Sequence, residues 1–218
     1  MQVFRYAWLV ACLFITIVLP AQDPLRFEKE VKKLVAGDTA VQKKHLILFT
    51  GSSSIRMWGD IKVYYPNYNV VNRGFGGSVM SDLDYYTDKL ILPYKPERIF
   101  IYEGDNDLSA GKKPEEILAS ADSILKKIRS RLSKKVPVYF ISPKPSLARW
   151  KLKDQYILYN KVLKDWVSYQ KNVIYIDMWT PLLDAEGFPR KDIFIDDGLH
   201  LNPKGYLIWS GVIEPYLH

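Results

Sequence analysis

The sequence predicts an α/β fold: a three-layer α/β/α sandwich with a mostly parallel, five-stranded sheet. Three observations predict it. Five short apolar runs read as strands covered on both faces, as parallel strands are. Helical patterns separate the runs, as parallel crossovers require. The chain, 218 residues long, suffices for one full-sized domain and is short for two, and it contains no repeat, low-complexity tract or linker.

The N-terminal stretch "MQVFRYAWLVACLFITIVLPAQD" comes first. One positive charge, Arg5, precedes an apolar segment from Ala7 to Leu19, and Pro20-Ala21 follows. That length suits the core of a secretory signal peptide and is short for a membrane span, so residues 1–21 read as a signal peptide cut near Ala21. An uncleaved N-terminal anchor is the rival reading. The single cysteine, Cys12, lies inside this segment. Its apolar run follows the cysteine, whereas a lipidation box needs the run before it. A chain without this segment has no cysteine, which excludes a cysteine nucleophile, a disulfide framework and thiolate metal sites.

Beyond it, "RFEKEVKKLVAGD" (26–38) has helical spacing through Phe27, Val31 and Leu34, with Gly37 as a stop. "HLILFT" (45–50) is the first strand and "YNVVNRG" (68–74) the second, running into a glycine-rich turn. A helical pattern over 81–92 leads to the third strand, "RIFIYEG" (98–104). The segment 114–133 is the clearest helix. Pro114 begins it, Glu115 and Glu116 sit in its first turn, and basic residues crowd its end, as the helix dipole favours. Its stripe is Ile117, Leu118, Ala121, Ile124, Leu125, Ile128 and Leu132. "VPVYFIS" (136–142) is the fourth strand, 151–170 a helix, "NVIYID" (172–177) the fifth strand, and a last helix is expected from Pro203 to about Ile213.

The composition is globular, with 48% hydrophobic and 25% charged residues. The net charge of +7 is concentrated in "LKKIRSRLSKK" (125–135) and around "KVLKDW". Both stretches read as solvated outer helix faces, and no nucleic-acid motif accompanies them.

In an open parallel sheet, ligands bind just outside the carboxyl ends of the strands. The residues that follow the strands here are Gly51-Ser52-Ser53-Ser54, "NRGFGGS" (72–78), "EGDND" (103–107), "SPKPSLARW" (142–150) and, past the fifth strand, "DDGLHLN" (196–202). A serine hydroxyl needs a base to become a nucleophile. Of three histidines, His45 precedes the first strand, at the wrong edge, and His218 is terminal. His200 remains, with Asp197 three residues before it, close enough to hold one ring nitrogen while the other faces outward. The glycines of "GFGG" offer backbone N–H groups for an oxyanion, and Asn106 offers a side-chain amide. A plain tight turn and a turn-forming asparagine are the bland alternatives.

Taken together and in this order, "FTGSSSIRMW", "NRGFGGS", "GDND" and "DGLH" resemble the four blocks of the SGNH (GDSL-like) hydrolases. The resemblance runs from about residue 45 to 210. It implies a flavodoxin-like SGNH hydrolase fold over residues 24–218 and a serine esterase or acylhydrolase activity. The family's first block usually reads Gly-Asp-Ser with a tryptophan following. Matching Gly51 and Trp58 places Ser52 at the Asp position and Ser53 at the nucleophile, with Ser54 the fallback and Ser52 a loop or capping serine. The second block then assigns the oxyanion glycine to Gly77, with Ser78 at the following Asp position, and the third assigns Asn106. The last assigns Asp197 and His200 as acid and base, Asp196 being the lesser partner.

The resemblance implies catalysis by Ser53, Asp197 and His200. The oxyanion is held by the backbone of Ser53 and Gly77 and the side chain of Asn106. No cofactor or metal is implied, and no P-loop, dinucleotide fingerprint or histidine cluster is present. The expected partner is a small-molecule, glycan or lipid ester, with no nucleic acid and membrane contact only through the N-terminal segment. With a signal peptide, the location is secreted or periplasmic. Trp58, Phe75, Trp150 and Phe194 are candidates for stacking on sugar rings, with core packing as the alternative. An acetylated carbohydrate and a lysophospholipid both fit, and the non-enzyme alternative is a catalytically idle ligand- or glycan-binding module.

Overall fold

The computed structural model describes residues 23–37 and 41–218. The apolar N-terminal segment lies outside them. In chain order the helices are α1 (Glu28–Val35), α2 (Ser53–Arg56), α3 (Ile61–Tyr64), α4 (Met80–Leu90), α5 (Asp105–Ser109), α6 (Pro114–Arg131), α7 (Lys153–Ser168) and α8 (Pro203–Ile213). The strands are β1 (Leu46–Gly51), β2 (Asn69–Gly74), β3 (Arg98–Tyr102), β4 (Val138–Ile141) and β5 (Val173–Ile176). They form one sheet in the order β2-β1-β3-β4-β5, parallel throughout. That is the flavodoxin-like order, with its topological switch between β1 and β3.

Alternation along the strands builds two cores. Leu46 and Leu48 of β1, Ile99 and Ile101 of β3, and Val138 and Phe140 of β4 pack with residues of α1, α4, α6 and α7. Ile47, Phe49, Phe100, Tyr102, Tyr139 and Ile141 pack on the other face with residues of α2, α3 and α8. Each such side chain contributes about 1.5–3 kcal/mol on burial. Both faces of the sheet are therefore covered, which is why its strands read as unbroken apolar runs.

Local chemistry sets the helix ends. Pro114 opens α6, and the Lys113 N–H donates to Glu116 Oε2 at 2.8 Å. The first helix is shorter than its pattern predicts. A 3-10 turn, Pro24–Phe27, precedes α1 and is capped by Asp23, which accepts from the Leu25 N–H at 2.9 Å. The basic end of α6 is not all solvated. Arg129 donates to the carbonyls of Val136, Lys171 and Asn172 and so ties α6 to the entrances of β4 and β5.

The aromatic residues mostly pack. Trp58 lies 5.6 Å from Tyr206 and 5.5 Å from Trp209, centroid to centroid, and Tyr102 lies 5.0 Å from Trp209. Trp58, Phe75 and Phe194 are buried, so three of the four candidates for sugar stacking are core residues. Trp150 alone stays half-buried, beside Trp179 and Phe188.

Candidate active site

Gly51 ends β1 at φ +134°, and a Cβ there would sit 2.0 Å from the Tyr102 carbonyl oxygen. Only glycine lets the two central strands approach so closely at the switch point. The chain then turns: the Ser52 N–H donates to the Tyr102 carbonyl at 3.0 Å, and the Ser52 carbonyl opens α2. This turn separates the three serines. Ser52 is 1% and Ser54 2% exposed, whereas Ser53 is half-buried, with its Oγ 2.9 Å from His200 Nε2. Ser52 holds the N-cap position of α2 but makes no side-chain cap. Its hydroxyl instead accepts from Asn106 Nδ2 at 2.8 Å, so of the two roles expected for it, loop serine or cap, the cap is not made.

His200 arrives on a tight turn past β5. The Asp197 carboxylate accepts from the backbone N–H of Leu199 (2.8 Å) and His200 (2.9 Å) through Oδ1. Its Oδ2 lies 2.6 Å from His200 Nδ1. Gly198, at φ +61°, makes this turn possible, and its carbonyl accepts from the Ala148 N–H at 3.0 Å. Burial pushes the Asp197 carboxyl up, but the hydrogen bonds from the His200 ring and the two backbone amides outweigh it and bring it down to about 2. An ionised carboxylate only accepts, so Nδ1 carries the proton, and in the neutral ring the Ser53 hydroxyl donates to Nε2. The next residue pair fixes the loop to the fold: Asn202 caps α8 by accepting from the N–H groups of Lys204 and Gly205.

Two of the residues expected to hold an oxyanion, Gly77 and Asn106, lie just past β2 and β3. Asn72, at the end of β2, donates to the Ile55 carbonyl (2.6 Å) and accepts from the Gly74 N–H (2.9 Å), locking this strand end to α2. Gly77 is exposed, at φ +77°. Asn106 lies in the first turn of α5, after Gly104 at φ +105°, where a Cβ would meet the Tyr159 ring at 2.8 Å. The Asn106 amide donates to Ser52 Oγ and, at 2.9 Å, to the Ser78 carbonyl. The Ser53 N–H belongs to the first turn of α2, whose amides have no intrahelical partner. Ser78 is fully buried, and its hydroxyl donates to Glu103 Oε1 at 2.5 Å. Burial, reinforced by Asp107, pushes the Glu103 carboxyl well up, and Oε2 has no hydrogen-bond partner among the described residues.

Beneath these groups lies a buried ionic cluster around Asp105 of the third block, whose cations, Lys144 and Arg149, lie outside the four blocks. Asp105 accepts from Arg149 Nη1 at 2.5 Å and from the hydroxyls of Tyr102 (3.0 Å) and Tyr156, with Lys144 Nζ 3.7 Å away. Burial pushes Asp105 up, but the Lys144 and Arg149 charges prevail and hold it below the usual carboxylate range. Lys144 is wholly buried and donates to the Leu199 carbonyl at 2.6 Å, one residue before His200. The sequence marks 142–150 as a strand-end segment but singles out neither Lys144 nor Arg149 within it, because their partners lie 55 and 43 residues away in the chain.

The structure thus brings Ser53, His200 and Asp197 into one hydrogen-bonded chain at the switch point, with Asn106 beside it through Ser52. Asp196 is exposed and stands outside this chain of contacts. His45 pairs with Glu97 and His218 meets Tyr68, both away from the site. Among the described residues, no group of three or more His, Cys, Asp or Glu is arranged to hold a metal, and no helix is long and apolar enough to cross a membrane.

The profile of the GDSL-like Lipase/Acylhydrolase family matches residues 51–208, which spans all four blocks. The chain belongs to this family. It is an ester-bond hydrolase of the GDSL-like type. Among solved structures, a candidate platelet activating factor from Streptococcus pneumonia superposes with a TM-score of 0.79 at 20% identity, over 89% of this chain and 94% of that one. A GDSL-like lipase from Bacteroides thetaiotaomicron gives 0.73 at 16% identity, over 89% and 98%. A catalytic mutant of an acetylxylan esterase from Geobacillus stearothermophilus gives 0.65 at 15% identity, over 80% and 94%. These likenesses establish the fold as that of GDSL-like hydrolases. No curated protein matches the chain.

Proposed function

We propose that this GDSL-like hydrolase is a secreted serine esterase that cleaves carboxylic esters of an extracellular glycan or lysophospholipid through an acyl-enzyme on Ser53. The observation that carries the reading is the relay Ser53 Oγ–His200 Nε2 at 2.9 Å and His200 Nδ1–Asp197 Oδ2 at 2.6 Å. His200 takes the Ser53 proton as Oγ attacks the ester carbonyl. The backbone N–H groups of Ser53 and Gly77 and the Asn106 amide receive the developing oxyanion. His200 then passes its proton to the leaving alcohol, and water repeats the sequence on the acyl-enzyme. Asp197 stays ionised throughout and holds the ring in the required tautomer, which its lowered titration supports.

For Asn106 to bind the oxyanion, the amide hydrogen that faces Ser52 Oγ must be given up by Ser52 and shared with the substrate oxygen, the amide plane staying as it is. Ser52 can release it at small cost, because a hydroxyl is both donor and acceptor. Secretion is supported by the apolar segment from Ala7 to Leu19. The glycan-ester reading draws on the acetylxylan esterase sharing this fold and on the half-buried Trp150 beside Trp179.

Hydrolysis of p-nitrophenyl acetate, butyrate and a longer-chain ester, by the protein and by Ser53→Ala, tests the proposal. Turnover should fall by about 10⁴-fold or more in the variant. Preference for acetate favours glycan esters, and preference for the long chain favours lipids. Equal turnover by both proteins would overturn the assignment of Ser53. Inactivity of both would instead favour the idle binding module.

A further inference from the structure

The Asn106 amide has a defined orientation, and one of the groups that sets it, Arg149, lies outside the family's blocks. Its Oδ1 accepts from Arg149 Nη2 at 2.9 Å, while its Nδ2 faces Ser52 Oγ and the Ser78 carbonyl. The Ser52 hydroxyl does not choose between amide orientations, since it can donate or accept. The other two partners do choose. A guanidinium has only donors and a carbonyl only acceptors, so an amide turned by 180° would set donor against donor and acceptor against acceptor. A cation on Oδ1 also polarises the amide and strengthens its N–H groups as donors.

Arg149 is itself held in place. Its Nη1 donates to Asp105 Oδ1 at 2.5 Å and to the Asp105 carbonyl at 3.0 Å, leaving Nη2 aimed at Asn106. Its side chain is 18% exposed and that of Asp105 7%, so the pair is shielded from competing water. The planar fork is what allows one side chain to serve both neighbours. A lysine could pair with Asp105, but its ammonium lacks the rigid fork that aims one nitrogen at Asp105 and the other at Asn106.

We infer that Arg149, seated on Asp105, is a positioning residue of the esterase reaction, fixing the Asn106 amide with its N–H groups toward the oxyanion. The inference rests on the proposed role of Asn106. The test is p-nitrophenyl acetate kinetics of Arg149→Lys and Arg149→Met, each alone and on an Asn106→Ala background, with thermal melting of every variant. Both substitutions are expected to lower kcat by about 10- to 100-fold with KM near the parent value, as misplacement of a transition-state group does. On the Asn106→Ala background they should cost less than about twofold more, because the group they act through is gone. Arg149→Lys should keep its melting temperature, and it carries the test should Arg149→Met fail to fold.

Full activity in a folded Arg149→Lys, or losses that multiply fully with that of Asn106→Ala, would overturn the inference. An undiminished Asn106→Ala would instead remove the oxyanion role of Asn106, and this inference with it.

Discussion

Ser52, Ser53 and Ser54 share a side chain and differ only in where the turn after β1 sends it. The turn buries Ser52 against Asn106, buries Ser54, and leaves Ser53 half-buried in contact with His200. Ser54→Ala should therefore keep most activity in the p-nitrophenyl acetate assay, and a dead Ser54→Ala beside an active Ser53→Ala would shift the nucleophile by one residue. Asn106→Ala should lower kcat by about 10²–10³-fold, the usual cost of one oxyanion donor. A loss smaller than tenfold would show that the backbone donors suffice. At this scale the candidate residues were legible because their types are rare and chemically specific: with three histidines in the chain, elimination reaches His200. The supports were not legible. Lys144 and Arg149 are ordinary basic residues in a sequence with 31 lysines and arginines, and only burial against Asp105 makes them particular.

Among the elements, α8 links the histidine turn to the core. Asn202 caps it two residues after His200, and Trp209 sits in its middle, wholly buried against Trp58 and Tyr102. Trp209→Ala should cost about 3–5 kcal/mol, as large-to-small aromatic changes in cores do. Trp209→Phe should cost much less, because the indole Nε1 has no hydrogen-bond partner among the described residues. Denaturant midpoints of the two variants decide this, and equal losses would reveal a partner for the indole. The long elements followed from pattern, since α6 and α8 begin at the prolines the sequence points to. The short helices α2, α3 and α5 did not. Each is only one turn or so and has no room for a periodic stripe; Asp60 caps α3 locally, and tertiary contacts such as the fit of Gly104 against Tyr159 position the others.

Across the whole molecule, carboxyls with shifted titration make stability depend on pH in opposing ways. Asp197 and Asp105 titrate below the usual range, so their contribution is present above the ordinary aspartate value and is lost as pH falls through their lowered ones. Glu103 is the reverse. Its folded form holds the proton more tightly than the unfolded chain does, so its contribution is complete below the ordinary glutamate value. It is lost as pH rises toward the raised one. Glu103→Gln should thus gain in melting temperature relative to the parent as pH rises from about 4.5 to 9, while the two stay close in acid. Parallel curves across that range would mean that Glu103 titrates normally.

By itself the sequence determined the layer architecture, because apolar runs and stripes are local consequences of which faces must leave water. It also determined the short set of residues able to carry ester hydrolysis, because few side chains can act as nucleophile, base or oxyanion donor. Only the tertiary structure decided which serine faces His200, why Ser52 accepts from Asn106 rather than capping a helix, and how Asp105, Lys144 and Arg149 brace the site. Those outcomes depend on distances between residues far apart in the chain, and no local pattern encodes a distance.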